Sequence, residues 1–227
     1  VLDDLAVLQN AEQAKGGNYI FPVEDAYRMP GGRFRMRAGI SIGENPPSGA
    51  VFNIWLNGKL KGETALEILD ASGKVIRKMV TKAGKGEGEG DSEDRAPPLK
   101  VEQGWNTLTW NLRHEDAKTF PGLIMWAGST RGPQAAPGRY KARLTGEGLN
   151  LEADFQVLKD PRLTAVTQED LDKQQALLLQ IRDKLTETHE AILKIRELRK
   201  QLDEWGKREK ELADPAQALG KKLTAVE

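Results

Sequence analysis

Short runs between residues 49 and 160 alternate between apolar and polar positions, the pattern of β-strands that bury one face. In the run 106–112, for example, two leucines and a tryptophan fall on one face, and two threonines and an asparagine on the other. The clearest predicted strands are residues 51–56, 64–69, 74–79, 106–112, 139–144 and 151–157. About six or seven short strands at this spacing are typical of an immunoglobulin-like (Ig-like) antiparallel β-sandwich.

The same pattern predicts local details of the sandwich. Asp70 to Gly73 separates two strands, which predicts a hairpin in which Gly73 supplies a positive φ. Trp105, Trp110 and Tyr140 are interpreted as core residues, because aromatic side chains dominate the cores of such folds.

After Asp160-Pro161 the spacing of apolar residues changes from the alternation of strands to the period of an α-helix. Thr167 precedes an acidic first turn and is the predicted N-cap of a long α-helix that reaches residue 212 and is stopped by Asp214-Pro215. Apolar residues recur every seven positions, at Leu171, Leu178, Leu185 and Ile192, with an interleaved set at Gln174, Ile181, Thr188, Ile195 and Leu202. A second helix is predicted over 216–226. The two sets of heptad positions form an apolar stripe along the first helix. We expect this stripe to be covered by the second helix or by another chain, as in a coiled coil or a homo-oligomer.

These patterns predict a mixed, mainly β chain: an Ig-like antiparallel β-sandwich followed by a long α-helix or a helical hairpin. Composition shifts place the boundaries at 1–48, 49–160 and 161–227. The 227 residues start without Met, which predicts that the chain is a piece of a longer protein. Because the second predicted helix is too short to cover the first, we expect either that the protein continues past Glu227 or that another chain pairs here.

Charge and composition narrow the chemistry. Lys plus Arg and Asp plus Glu both number 34, so the basic excess of a nucleic-acid-binding protein is absent, and no run is apolar enough to span a membrane. There is no cysteine and there are only two histidines, which disfavours thiolate and multi-histidine metal sites. His114 is interpreted as a solvated turn residue and His189 as a surface or hairpin-interface residue. We therefore predict no catalytic residue and no cofactor.

Two ligand sites remain as alternatives. Residues 84–94 alternate glycine with charge, which predicts a solvated loop, and Asp91, Glu93 and Asp94 supply oxygen ligands for a weaker calcium hypothesis. Tyr27, Trp55 and Trp126 are the aromatic residues not assigned to the core. Stacking of sugar rings on them would make the chain a carbohydrate-binding module, with a polysaccharide as partner.

The order of segments resembles a known family. The most specific match is Glu-Asn-Pro-Pro-Ser-Gly-Ala at 44–50, which together with 25–29 resembles the exit from a β-propeller, and residues 1–5 look like the last strand of a blade. Further matching stretches are 66–75, 104–112, 136–140, 160–162 and 181–192. The chain thus resembles the C-terminal region of large exported proteins with sortilin-like, BNR-repeat propellers, which are commonly labelled glycosyl hydrolases.

The resemblance carries several implications. Residues 1–48 would be the remnant of the last propeller blade and a linker, and the sandwich and helical segment would follow it. The protein would be exported to the periplasm, the outer surface or the medium. This region would be a non-catalytic accessory region that packs against or positions the propeller of the same parent. Alternatively, it is part of an intact glycosyl hydrolase whose active site lies in the propeller.

Overall fold

A computed structural model describes residues 5–29, 48–81, 98–126 and 128–227. The strands are β1 (Tyr19–Ile20), β2 (Ala26–Arg28), β3 (Ala50–Leu56), β4 (Ala65–Asp70), β5 (Val75–Val80), β6 (Gly104–Trp110), β7 (Gly138–Gly146) and β8 (Leu149–Lys159). The helices are α1 (Leu5–Gln9), α2 (Ala11–Ala14), α3 (Gln168–Arg208) and α4 (Ala213–Val226), with a 3₁₀ turn at Lys210–Leu212. Leu5, the end of the predicted blade strand, begins α1, and residues 1–4 and most of the 44–50 motif lie outside the described residues.

The strands form two sheets. The three-stranded sheet has the order β1-β3-β6 and is antiparallel, and the five-stranded sheet has the order β2-β8-β7-β4-β5. In the larger sheet only β2 runs parallel to its neighbour β8. The predicted hairpin between β4 and β5 is confirmed, because the Gly73 N–H donates to the Asp70 carbonyl over 2.9 Å and Gly73 has a φ of 82°.

One hydrophobic core joins the two sheets. The Phe52 ring of the smaller sheet lies 5.3 Å from the Phe155 ring of the larger one, and the Trp110 and Tyr140 rings are 5.6 Å apart. Trp110 and Tyr140 are buried as predicted, but the assignment of Trp105 to the core is wrong, because its side chain is 47% exposed. The coarse prediction of a mixed, β-rich chain with a long helix is confirmed.

The described residues divide into two compact units, which are treated separately below. The first unit comprises residues 5–29, 48–81, 98–115 and 131–178, and contains both sheets and the first turns of α3. The second comprises residues 116–126, 128–130 and 179–227, and contains the rest of α3 and α4.

The N-terminus of α3 is capped as the sequence predicts. The Asp170 N–H donates to the Thr167 hydroxyl over 3.2 Å, and the Thr167 N–H donates to the Asp170 carboxylate over 2.9 Å. This reciprocal pair satisfies backbone donors that the helix itself leaves unpaired. The Thr167 hydroxyl also donates to the Asp170 carboxylate over 2.7 Å, and this bond, together with the one from the Thr167 N–H, holds the pKa of Asp170 below its usual value.

The C-terminal end of α3 differs from the prediction. The α-helix ends at Arg208, because Glu209 is extended with a φ of −124° and a ψ of 108°. Asp214-Pro215 therefore does not stop α3; it lies in the first turn of α4, where a proline removes only an N–H that would be unpaired anyway.

In the second unit α4 turns back along α3. A Cβ on Gly206 would lie 3.5 Å from the Ala216 Cβ, so the two helices are in close contact near the turn. At the other end of α4, the Glu227 carboxylate accepts hydrogen bonds from Arg196 over 2.8 Å and Arg199 over 3.0 Å. These pairs lower the pKa of Glu227. The predicted helical hairpin thus covers the C-terminal part of α3.

The heptad stripe on α3 is covered only in part. Leu171 is buried, but Leu178 is 37% exposed and Ile181 is 55% exposed. Because α4 has 14 residues and α3 has 41, the second helix is too short to cover the whole stripe.

Candidate functional site

Three aromatic residues lie side by side across the outer face of the three-stranded sheet. Tyr19 of β1 is directly opposite Trp55 of β3, and Trp55 is directly opposite Trp105 of β6. Side chains of directly opposite residues share a face of the sheet and are close enough to interact. We call Tyr19, Trp55 and Trp105 the aromatic row.

Phe21 packs beside the row on the same face of the sheet. Its ring lies 5.0 Å from the Tyr19 ring and 5.3 Å from the Trp105 ring, and the side chain is buried. The Phe21 N–H donates to the Asn53 carbonyl over 2.9 Å, which continues the β1–β3 ladder by one residue. The rings of Tyr19 and Trp105 therefore share a buried aromatic neighbour that is hydrogen-bonded to β3.

A pocket of about 620 Å³ lies between the row and the two N-terminal helices. Its lining is predominantly apolar and consists of Val7, Leu8, Ala11, Ala14, Lys15, Phe21, Trp55, Asn57 and Trp105. The Tyr19 hydroxyl donates a hydrogen bond to the Gln13 side chain, which ties α2 to the sheet. The volume lies within the range of about 300–1,000 Å³ that is usual for small-molecule sites.

The polar lining residues are exposed and therefore lie where the pocket meets solvent. Lys15 pairs with Glu12 at 2.5 Å, and both side chains are largely exposed. The Asn57 backbone accepts from Gln103 over 3.1 Å and donates to Asn18 over 2.9 Å. Among the described residues that line the pocket, Lys15 is the one titratable side chain, and seven of the nine are apolar or aromatic.

The structure distributes the three predicted stacking residues over different elements. Trp55 lines the pocket. Tyr27 is exposed on β2, in the five-stranded sheet, whereas Trp55 is in the three-stranded sheet. Trp126 belongs to the second unit and is 97% exposed.

His114 is buried in the first unit, which corrects its interpretation as a solvated turn residue. Its ring is hydrogen-bonded to the side chain of Gln175, and its carbonyl accepts from the Arg77 guanidinium over 3.1 Å. Arg77 also lies 3.6 Å from the Glu115 carboxylate. These contacts link β5, the segment after β6 and the start of α3.

His189 is likewise buried, in the second unit, so the surface alternative of its interpretation is wrong, and its ring contacts the segment 116–121. Its Nδ1 is hydrogen-bonded to the Lys118 carbonyl, and its ring lies 5.1 Å from the Phe120 ring, edge to face. The Arg196 guanidinium lies 4.7 Å from the centre of the Phe120 ring and donates to the Pro121 carbonyl over 3.1 Å. The segment 116–121 is thus fixed to the middle of α3.

Asp160 is a third buried polar group. Its carboxylate accepts from the Arg162 guanidinium over 2.7 Å and from the Arg162 backbone N–H over 3.0 Å. These hydrogen bonds hold the pKa of Asp160 at about 2. The pair fixes the turn between β8 and the approach to α3.

The calcium hypothesis concerns Asp91, Glu93 and Asp94, which lie outside the described residues. Within residues 5–29, 48–81, 98–126 and 128–227, no group of three or more acidic or histidine side chains has metal-binding geometry. A search of the same ranges finds no helix that is long and apolar enough to cross a membrane.

Sequence reasoning identified Trp55 but missed Trp105, Phe21 and the helical wall. Strand parity was the available signal for Trp105, because it is five positions from the buried Trp110 and so must point to the other face. No sequence signal places α1 and α2 over the sheet. Comparisons with known proteins do not supplement these observations: no protein-family model matches the chain, and no curated protein has a significantly similar sequence.

Proposed function

We propose that this chain is a non-catalytic accessory region of an exported β-propeller protein. In this proposal an Ig-like sandwich and a helical hairpin pack against or position the propeller. The propeller and the export to the periplasm, outer surface or medium come from the sequence resemblance. One structural observation supports the accessory role: buried charged and histidine side chains bond to the chain's own backbone and to neighbouring elements.

His114, His189 and Asp160 are buried polar residues whose contacts hold elements of the fold together. The His114 ring contacts Gln175, the His189 ring contacts the Lys118 carbonyl, and Asp160 is paired with Arg162. A catalytic acid or base needs an oriented partner and access to a substrate. Here the orienting contacts hold elements of the fold together, which is the use expected in a scaffold.

The first test is an activity measurement on the purified chain. We expect no turnover of glycoside or peptide substrates at any pH between about 4 and 9. Turnover that follows the protein through purification and disappears in His114→Ala or Asp160→Asn variants that still fold would overturn the accessory role.

The second test compares the parent protein with and without this region. If the region supports the propeller, its removal lowers the thermal midpoint of propeller unfolding and leaves any hydrolytic activity per folded molecule unchanged. This result would also locate any hydrolase site in the propeller. An unchanged midpoint together with lost activity would contradict the proposal.

Carbohydrate binding is the remaining proposal, and the geometry gives it less support. Only Trp55 of the three predicted residues lines the pocket, and Tyr27 lies on the other sheet. Glycan-array binding that disappears in Tyr27→Ala, Trp55→Ala or Trp126→Ala would establish it, and an array without signal would remove it.

A further inference from the structure

The accessory role makes no use of the pocket beside the aromatic row. We propose that this pocket is a binding site for a small, uncharged molecule with a flat apolar ring system, whose one polar substituent faces the mouth. This inference does not rest on the accessory role, because it concerns only the three-stranded sheet and the N-terminal helices.

The sheet side of the pocket supplies a flat aromatic wall. Trp55 and Trp105 are directly opposite each other on β3 and β6, and both line the pocket. The Trp105 indole N–H donates to the Thr107 hydroxyl over 3.1 Å, which fixes the ring, and Phe21 supports it at 5.3 Å. A planar ring laid on this wall gains both apolar burial and favourable ring–ring contact.

The helix side supplies an aliphatic wall. Val7 and Leu8 of α1 and Ala11 and Ala14 of α2 line it. The Tyr19–Gln13 hydrogen bond connects this wall to the sheet. A ligand between the two walls therefore meets apolar surface on both of its faces.

This pair of walls excludes a sugar as the preferred ligand. A pyranose ring carries hydroxyl groups around its edge, and groups turned towards Val7, Leu8 or Ala11 would lose water without gaining a partner. Among the described lining residues, Asn57 and Lys15 are the amide and amine side chains, and both are exposed; the two indole N–H groups are donors only and cannot pair with the hydroxyl hydrogens of a sugar. Because Lys15 is already paired with Glu12, the site does not require an anionic ligand.

Binding of 2-naphthol to the whole chain tests the proposal, with cellohexaose as the second probe. Calorimetry measures affinity, and heteronuclear NMR follows the indole N–H signals of the five tryptophans. We expect 2-naphthol to bind and to shift the Trp55 and Trp105 signals, with no shift at Trp110, Trp126 or Trp205. Cellohexaose should produce neither heat nor shifts.

Three variants locate the site. Trp105→Ala removes half of the aromatic wall, and Ala11→Phe fills the pocket from an exposed helix position. Both should weaken 2-naphthol binding by about tenfold or more, because loss of one stacking contact has an effect of this order. Trp126→Ala, which removes a fully exposed tryptophan elsewhere, should leave the affinity unchanged and is the matched control.

Several results would overturn the inference. They are the absence of 2-naphthol binding, equal loss of affinity in Trp126→Ala, and unaltered affinity in Ala11→Phe. Cellohexaose binding with shifts at Trp55 and Trp105 would also overturn it, by assigning the pocket to carbohydrate. Near-ultraviolet circular dichroism of each variant ensures that only folded proteins are compared.

Discussion

Trp105 and Trp110 lie on the same strand, β6, and have opposite environments. Trp110 is fully buried against Tyr140 and Phe155 of the other sheet, whereas Trp105 is 47% exposed on the outer face. The buried indole donates to the Arg113 carbonyl over 2.8 Å, and the exposed one donates to the Thr107 hydroxyl over 3.1 Å. Each face of one short sheet thus uses tryptophan differently.

The two faces of the three-stranded sheet therefore have different roles, one in the core and one at the surface. On the inner face, rings from two sheets fill a common core, so that any change in volume affects many contacts. On the outer face, two short helices face the aromatic row across a pocket of about 620 Å³. The inner face therefore has the larger part in folding, and the outer face carries the pocket for which we propose a ligand.

The largest expected effect comes from exchanging the two tryptophans for alanine. Trp110→Ala leaves a cavity in the core and should lower the free energy of unfolding by about 3–5 kcal/mol. Trp105→Ala removes a half-exposed ring and should lower it by less than about 1 kcal/mol. Urea unfolding followed by circular dichroism measures both. Equal losses in the two variants would refute the contrast between the faces.

A second prediction concerns Gly49, whose backbone lies close to the Trp110 carbonyl group. Gly49 has a φ of 123°, and a Cβ there would lie 2.0 Å from the Trp110 carbonyl oxygen. Gly49→Ala should therefore lower the free energy of unfolding by roughly 2 kcal/mol or more, since strained backbone alone accounts for about 1–3 kcal/mol.

Gly58, just beyond the other end of β3, is the matched control. A Cβ there would meet nothing within 4 Å. Gly58→Ala should leave stability unchanged or raise it by up to about 1 kcal/mol. The same urea experiment applies, and a Gly49→Ala variant as stable as Gly58→Ala would show that the close approach is not rigid.

Alkaline pH provides a third test of the inner face. Burial raises the pKa of Tyr140 to about 12, and its hydroxyl donates to the Ala136 carbonyl over 2.7 Å. The unfolded chain has the ordinary value near 10 and loses this proton first. Stability should consequently fall as pH rises from about 10 to about 12, by on the order of 2 kcal/mol.

Tyr140→Phe isolates this effect. The variant should lose less stability than the wild type over the same pH interval, measured as the shift of the urea midpoint between pH 9 and pH 11.5. Parallel curves for the two proteins would mean that Tyr140 titrates normally and is not enclosed by the core.

The smallest effect is expected on the outer face. Thr107 donates to the Asn53 side chain over 3.0 Å and accepts from Trp105. Thr107→Val preserves the shape, favours strand geometry and loses these hydrogen bonds, so stability should fall by less than about 1 kcal/mol. Thr109→Val, on the same face, serves as the comparison. A loss as large as that of Trp110→Ala would show that the outer face also determines folding.

The alternation of apolar and polar residues was sufficient to predict most strands. The run 51–56 became Ala50–Leu56, and the run 139–144 became Gly138–Gly146. Trp105 shows where a residue-type argument failed: aromatic residues are often buried, but the parity of β6 had already assigned this one to the polar face. Local geometry should have taken precedence over composition here.

The two histidines were misjudged for a different reason. The pattern of α3 alone assigns His189 to the surface, and the residue is buried because the segment 116–121, about 70 positions earlier, packs on it. His114 is enclosed by Gln175, 61 positions later in the chain. Contacts at such separations leave no periodic trace in a single sequence.

The sequence likewise predicted only part of the candidate site. Trp55 was identified as an exposed aromatic residue, but its neighbours Trp105 and Tyr19 come from strands that are 50 and 36 positions away, and only strand register makes them a row. The helical wall depends on where α1 and α2 rest, which the aromatic residues do not specify.

Local periodicity, turn chemistry and helix capping were therefore fixed by the chain itself, because each depends on residues that are neighbours in sequence. Thr167 with Asp170 and the Asp70–Gly73 turn are of this kind. Tertiary packing alone decided that both histidines are buried and where a pocket remains. Those outcomes depend on contacts between segments that are far apart in the sequence, because a side chain is buried only when such segments pack together and exclude water from it.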